Sequence, residues 1–503
     1  MSKSNRSVFT SLSGMSLTLI NGLLSLIVTK IVISSYGSDF NGVNSTANQL
    51  VNMLMIVEGG FTLAASVALF GPIKEGNTSK INMILSAAKR SYFQKGMIFF
   101  VAGTFAAIGY SFFIKSNLPI YTIMTVFLLT VGSTGFALVY EAKYRIILQS
   151  VQKEYLINMI RIVTIVISQL IVIIVIRLHL DMILIRLVTS IGMIIGSLCI
   201  GLLCKRQYPK IAFNIQPDFD SIKGTNDIFI AKFTGMVYKS APMIFIAATS
   251  GAVFASVYGV YNSVFLLIKG LLISFSNGPR MALGQLVKEK GENYVYQVFT
   301  EYEFLVNQLM LIFLTSATVL IMPFIDVYTY NVTDVIYKNW FVAIFLILAT
   351  YFDIIHLPAG NMIYMAGQFR LGRNIQVISA VFLIITLLLG YFFWGFEGIM
   401  LSILLTSVLL ALLEINTIYR NFFDRSVFDF LIRLLPSTAF AVAMVFIQLQ
   451  LLPKIFGYLQ FAVWGFIIFS LNVMAFLVFG MTFYPKIMRK VSGRLVLLLG
   501  KFK

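Results

Sequence analysis

Residues Ile157 to Ile176 read INMIRIVTIVISQLIVIIVI, twenty residues with a single charge at Arg161. As a helix rising 1.5 Å per residue, the stretch covers about 30 Å, the thickness of a bilayer's hydrocarbon core. Comparable runs recur from one end of the chain to the other. Of 503 residues 59% are hydrophobic and 12% charged, against roughly 25% charged in soluble domains, so the solvent of this chain is lipid.

Fourteen spans are expected, near residues 9–35, 42–70, 97–114, 120–146, 157–176, 182–204, 227–248, 253–283, 302–323, 340–366, 375–395, 398–419, 429–450 and 459–483. The first is too long for the core of a cleavable signal and is read as a span. The fold class is therefore an all-α integral membrane protein. Cys199 and Cys204, five residues apart in one apolar segment, do not have the spacing of a disulfide or a metal pair and read as packing residues.

A formal charge of +18 would suggest a nucleic-acid partner in a soluble protein. In a membrane protein, lysine and arginine first fix orientation. With an even number of crossings both termini share a side, and that side holds 28 of the 38 basic residues while the opposite loops hold four, Lys115, Arg177, Lys338 and Lys454. Both termini are thus expected in the cytoplasm. The segments Thr78 to Lys95 and Val491 to Lys503 mix aliphatic and basic residues, which suits either helices in the anionic inner interface or plain topology signals.

Slid along itself until Gly37 meets Gly251, the chain also pairs Phe40 with Phe254, Val43 with Val257 and Asn48 with Asn262. Four identities also arise by chance in so biased a composition. As a true repeat they imply two six-helix bundles with two helices added, a plan common among transporters. The expected division is an N-lobe at 1–204, a cytoplasmic loop at 205–226, a C-lobe at 227–419, and the added helices with a basic tail at 420–503.

Six basic residues fall inside spans: Lys30, Arg161, Arg186, Lys232, Lys239 and Lys269. Each costs on the order of 2.5 to 3.5 kcal/mol at mid-bilayer, so each needs a watery lumen, a partner or a route to the interface. Lys232 and Lys239, seven apart, share a helix face, and Asn262 and Lys269 repeat the spacing. Asn44, Asn48 and Asn52 form a polar stripe suited to sugar hydroxyls or to interhelical hydrogen bonds. Glu141 and Arg145 are expected to neutralise each other at i, i+4. Glu58, Asp353 and His356 are candidates for ion or proton coupling, with structural pairing equally economical. Asp218-Phe219-Asp220 matches a metal-binding Asp-x-Asp string without a nucleotide fold around it, and no phosphate-binding loop is present, so neither a cofactor nor direct ATP use is expected.

The stretch Asn21 to Lys95 contains Tyr36-Gly37, Phe40-Asn41-Gly42, Glu58-Gly59-Gly60, Ala64-Ala65-Ser66, Gly71-Pro72-Ile73, Lys80-Ile81-Asn82 and Ala87-Ala88-Lys89-Arg90. It resembles the polysaccharide transporter family, the flippases of lipid-linked oligosaccharide repeat units within the multidrug, oligosaccharidyl-lipid and polysaccharide exporter superfamily. The resemblance implies two six-helix lobes in an inverted V around a cationic cavity, alternating access, and a polyprenyl-pyrophosphate oligosaccharide as cargo. It also implies a bacterial cell membrane location, contact with membrane lipids, and a polysaccharide polymerase and an initiating glycosyltransferase as partners. In that picture Lys30, Arg161, Lys232, Lys239 and Lys269 hold the pyrophosphate, and Asn44, Asn48, Asn52 and Asn262 contact sugar. The alternatives are a drug or cation antiporter of the same superfamily, which should prefer an acidic or aromatic cavity, and a membrane polysaccharide polymerase. The polymerase needs a larger outer loop than the one offering Asp326, Asp334 and Lys338.

Overall fold

The computed structural model describes residues 3–58, 61–222, 226–289 and 291–490. Among these every regular element is helical: α1 (Lys3–Leu54), α2 (Phe61–Ala68), α3 (Phe70–Glu75), α4 (Thr78–Phe113), α5 (Ile120–Phe136), α6 (Ala142–Ser150), α7 (Glu154–Arg177), α8 (Met182–Gln207), α9 (Asn226–Thr249), α10 (Ala252–Glu289), α11 (Glu292–Tyr328), α12 (Trp340–Ile355), α13 (Leu357–Met365), α14 (Phe369–Asn416), α15 (Val427–Leu451) and α16 (Tyr458–Phe483).

Eleven helical stretches among the described residues are long and apolar enough to cross a bilayer. Two of them, Leu12–Glu58 and Phe369–Phe422, run for 47 and 54 residues. Each is broken where a glycine takes a positive φ, Gly37 at 84° within α1 and Gly395 at 58° within α14, so each makes two crossings. With α9, 24 residues long, in the place of the seventh span, the described residues supply the fourteen crossings of an all-α membrane protein. Short polar caps start several of them: Asn77, Asp181, Asn339 and Ser426 accept backbone N–H groups that the first helical turn leaves without partners.

Several spans are less regular than their hydropathy indicates, among them the twelfth, which ends in a π-helical turn at Thr417–Phe422. The second ends in a 3-10 turn at Met55–Glu58 before α2, and the fourth passes through a π-helical turn at Ala137–Glu141. The tenth breaks at His356, where α12 stops and α13 begins with Pro358 in its first turn, a residue without an N–H to donate. Thr78 to Lys95 is not a separate interfacial helix: it is the first half of the 36-residue α4, with Asn82, Leu85, Ala88 and Tyr92 buried. Its aliphatic residues serve packing. Gly59-Gly60 and the tail from Val491 to Lys503 lie outside the described residues.

The chain divides into two compact units, one of Met1–Ser263 with Val332–Val335 and Leu387–Ile399, the other of Val264–Asn331, Ile336–Thr386 and Met400–Lys503. The first is centred on Phe40, Tyr92, Phe99, Phe127 and Tyr261, the second on Phe265, Phe299, Tyr337, Tyr419 and Phe423, all fully buried. Large apolar side chains also point outward from the helices, Phe105, Leu459 and Phe466 among them. That arrangement is at home in acyl chains and would aggregate in water.

Candidate functional site

Membrane helices bury charge only where it is closed by a partner. In the first unit Glu141 ends the π-helical turn and is 2% exposed. It accepts from the Arg161 guanidinium of α7 and from Ser197 Oγ of α8 at 2.7 Å. Arg145, one helical turn after Glu141, points elsewhere: its Nη2 donates to Glu58 Oε1 at 3.0 Å. The expected Glu141–Arg145 pair is therefore replaced by two interhelical pairs, because each side chain faces a different neighbouring helix. Around Glu58, Thr62 Oγ1 also donates to the carboxylate and lies 2.5 Å from Tyr92 Oη, while Lys95 Nζ donates to the Glu58 carbonyl at 2.9 Å.

The second unit has a corresponding set. His356 Nδ1 lies 2.7 Å from Glu414 Oε2, and Gln376 Nε2 donates to Glu414 Oε1 at 3.2 Å. Lys269 of α10 donates to Asp353 Oδ2 of α12 at 2.5 Å. Glu141, Arg161 and Ser197 belong to spans four, five and six; His356, Gln376 and Glu414 belong to spans ten, eleven and twelve, in nearly the register that lays Gly37 on Gly251. Likewise Glu58–Arg145 joins spans two and four, and Lys269–Asp353 joins spans eight and ten. Its charges are exchanged. Each unit thus closes the same helix junctions with buried polar groups, and the scaffold fixes their positions without fixing their sign.

The other expected residues are placed as follows. Arg186, 9% exposed, donates to Asn48 Oδ1 at 3.0 Å and Asn44 Oδ1 at 3.3 Å, so part of the asparagine stripe closes a buried cation. Asn52 is exposed and Asn262 half-buried. Lys30 is half-buried on α1. Lys232 and Lys239 are exposed along one face of α9, and no carboxylate within ion-pair distance of either is found among the described residues. Asp218 closes a turn: Ser221 donates to it through Oγ at 2.6 Å and through its backbone N at 3.1 Å, which holds its carboxyl below the usual range. Cys199 and Cys204 are free thiols, the second buried.

Ser197, Gln376 and the partnership of Glu58 with Arg145 are not singled out by the sequence pattern. The signal that reaches the first two is the repeat itself, since the register that carries Gly37 onto Gly251 leads from one buried polar group to the vicinity of another.

Solved structures share this architecture. The lipid II flippase MurJ in an inward closed conformation aligns over 94% of this chain and 99% of its own, at 16% identity and a TM-score of 0.70. The MATE multidrug transporter DinF-BH aligns over 84% and 98%, at 15% identity and 0.60. A MOP superfamily transporter from Pyrococcus furiosus, described as having a binding pocket of reverse polarity, aligns over 87% and 96%, at 12% identity and 0.55. The chain has the fold of the MOP superfamily. No family model and no curated protein sequence matches it.

Proposed function

We propose that this chain is a flippase that moves polyprenyl-pyrophosphate-linked oligosaccharide repeat units from the inner to the outer leaflet of a bacterial cell membrane, for export of a surface polysaccharide. The observation that carries the reading is the pair Lys232 and Lys239. Both are exposed on one face of a membrane-length helix, and neither is closed by a carboxylate among the described residues. Two such cations cost on the order of 2.5 to 3.5 kcal/mol each in lipid. An anionic cargo offsets that cost only while it is bound, which is what a carrier of pyrophosphate requires. Lys30 on α1 is a further contact for the same group. The likeness to a lipid II flippase supports a lipid-linked cargo, and the short stretch resembling the polysaccharide transporters supports a sugar on it.

The excess of basic residues in the loops on the side of the termini supports a cytoplasmic location for both. A pyrophosphate of about two negative charges moving outward from an inside-negative cell gains roughly 4 to 5 kcal/mol per 100 mV, enough to favour such transport without ATP. A polymerase and an initiating glycosyltransferase are the partners such a step would serve. The test is depletion of the protein in its native cell, with an assay of the membrane face on which the lipid-linked oligosaccharide accumulates. Accumulation on the cytoplasmic face is expected; single repeat units on the outer face would show that translocation proceeds without this chain and would remove the proposal.

A further inference from the structure

Within the first unit, α1, α7 and α8 border a half-open cavity of about 200 Å³, where Asn21, Arg161, Thr164, Ser168, Gln169 and Thr189 stand beside the apolar Ile165, Gly192 and Met193. A single water needs only about 10–15 Å³ on this scale. Thr164, Ser168 and Gln169 follow Arg161 along one side of α7, so the lining is a helical stripe placed well inside the apolar run. Gly192 admits the close crossing of α7 and α8: a Cβ there would overlap Ser168 Oγ.

The hydrogen-bonding state of the walls selects the occupant. Thr164 Oγ1 donates to the Ile160 carbonyl at 3.0 Å, and Thr189 Oγ1 to the Arg186 carbonyl at 2.9 Å, leaving both oxygens as acceptors. Gln169 Oε1 is a buried acceptor with no partner. A buried acceptor left open costs about 1–3 kcal/mol, so the cavity calls for donors. A pyrophosphate brings only acceptors, and the one cation in the wall, Arg161, is already closed by Glu141. A metal ion would satisfy the acceptors but would face the Arg161 guanidinium. Hydroxyl groups on a neutral ring satisfy the acceptors and also accept from the amide groups of Asn21 and Gln169.

We propose that this cavity is a sugar site, which holds a ring of the oligosaccharide within the first unit while the pyrophosphate is bound elsewhere. The assignment rests on the flippase reading and gives Arg161 a structural part beside the sugar.

Its test uses the full chain purified in detergent and two probes: polyprenyl-pyrophosphate oligosaccharides extracted from cells depleted of this protein, and polyprenyl pyrophosphate without sugar. The sugar-bearing lipid is expected to raise the melting temperature of the wild type more than the bare lipid does. Gln169→Leu and, separately, Thr164→Val are expected to weaken binding of the sugar-bearing lipid about tenfold and to leave the bare-lipid shift unchanged; the latter confirms that each variant is folded. If both variants keep the full sugar increment, or the two lipids act alike on the wild type, the cavity holds water only and the sugar site is wrong while the cargo reading stands. If neither lipid shifts the wild type, the flippase reading itself fails.

Discussion

Gly37 and Gly251 occupy corresponding corners of the chain, 214 residues apart, and both take a positive φ, 84° at one and 106° at the other. Each is the corner between two successive membrane helices, spans one and two in the first case and seven and eight in the second. At Gly37, φ 84° with ψ 168° is a conformation open essentially to glycine alone. Asp334 secures that corner, accepting from the Ser38 backbone N at 2.6 Å and from Ser38 Oγ at 2.8 Å.

A side chain at either corner should therefore cost about 1–3 kcal/mol in backbone strain. Gly37→Ala also places a Cβ 3.3 Å from Asp334 Oδ2. Both Gly37→Ala and Gly251→Ala are expected to lower the melting temperature in detergent, whereas Gly109→Ala, which meets nothing within 4 Å, should leave it nearly unchanged. Equal melting of all three would show that the corners are not strained.

The Lys269–Asp353 pair makes a second prediction. Removing one partner leaves a charge in a half-closed membrane site, so Lys269→Met alone should destabilise by about 2–4 kcal/mol. Adding Asp353→Leu should recover most of the loss. A double variant no more stable than the single one, measured by chemical denaturation in mixed micelles, would mean the pair does not act as a unit.

Lys232 and Lys239 should behave differently, since neither closes a carboxylate among the described residues. Lys239→Ala and Lys232→Ala are expected to insert and melt like the wild type, or slightly above it, and to reduce export at least several-fold. Normal export in the double variant would sink their role in holding pyrophosphate.

His356 supplies a prediction about coupling. Glu414 of α14 lies 2.7 Å from its Nδ1, the Lys269–Asp353 pair joins α10 to α12 at 2.5 Å, and Gly360 leaves the room that Glu414 fills, since a Cβ there would overlap its carboxylate. In the corresponding place of the first unit the pair is Glu141 with Arg161, and arginine stays protonated throughout the physiological range. A proton exchanged during transport would accordingly be carried by the His356–Glu414 pair. His356→Gln is expected to flatten the pH dependence of flipping into vesicles, while Arg161→Lys should leave the shape of the profile unchanged. An unaltered profile in the histidine variant would remove the pair from coupling.

Much of the architecture follows from the linear pattern alone. The apolar runs set the number and approximate limits of the crossings, since each run has the length that the hydrocarbon core demands. The interruptions are harder to read: hydropathy averaged along a whole span is blind to the π-helical turn at Ala137–Glu141 and to the broken helix at His356. Buried polar residues stand out because lipid tolerates few of them, so Arg161, Lys269, Asp353 and His356 are recognisable as special before their partners are known. The partners themselves come only with the tertiary structure. Arg145 lies four residues from Glu141 yet bonds Glu58, 87 residues away. Sequence spacing settles which face of a helix a residue shares, but the neighbour on that face is chosen by how helices pack, and in a low-dielectric solvent that neighbour decides whether a charge is closed or left to meet a ligand.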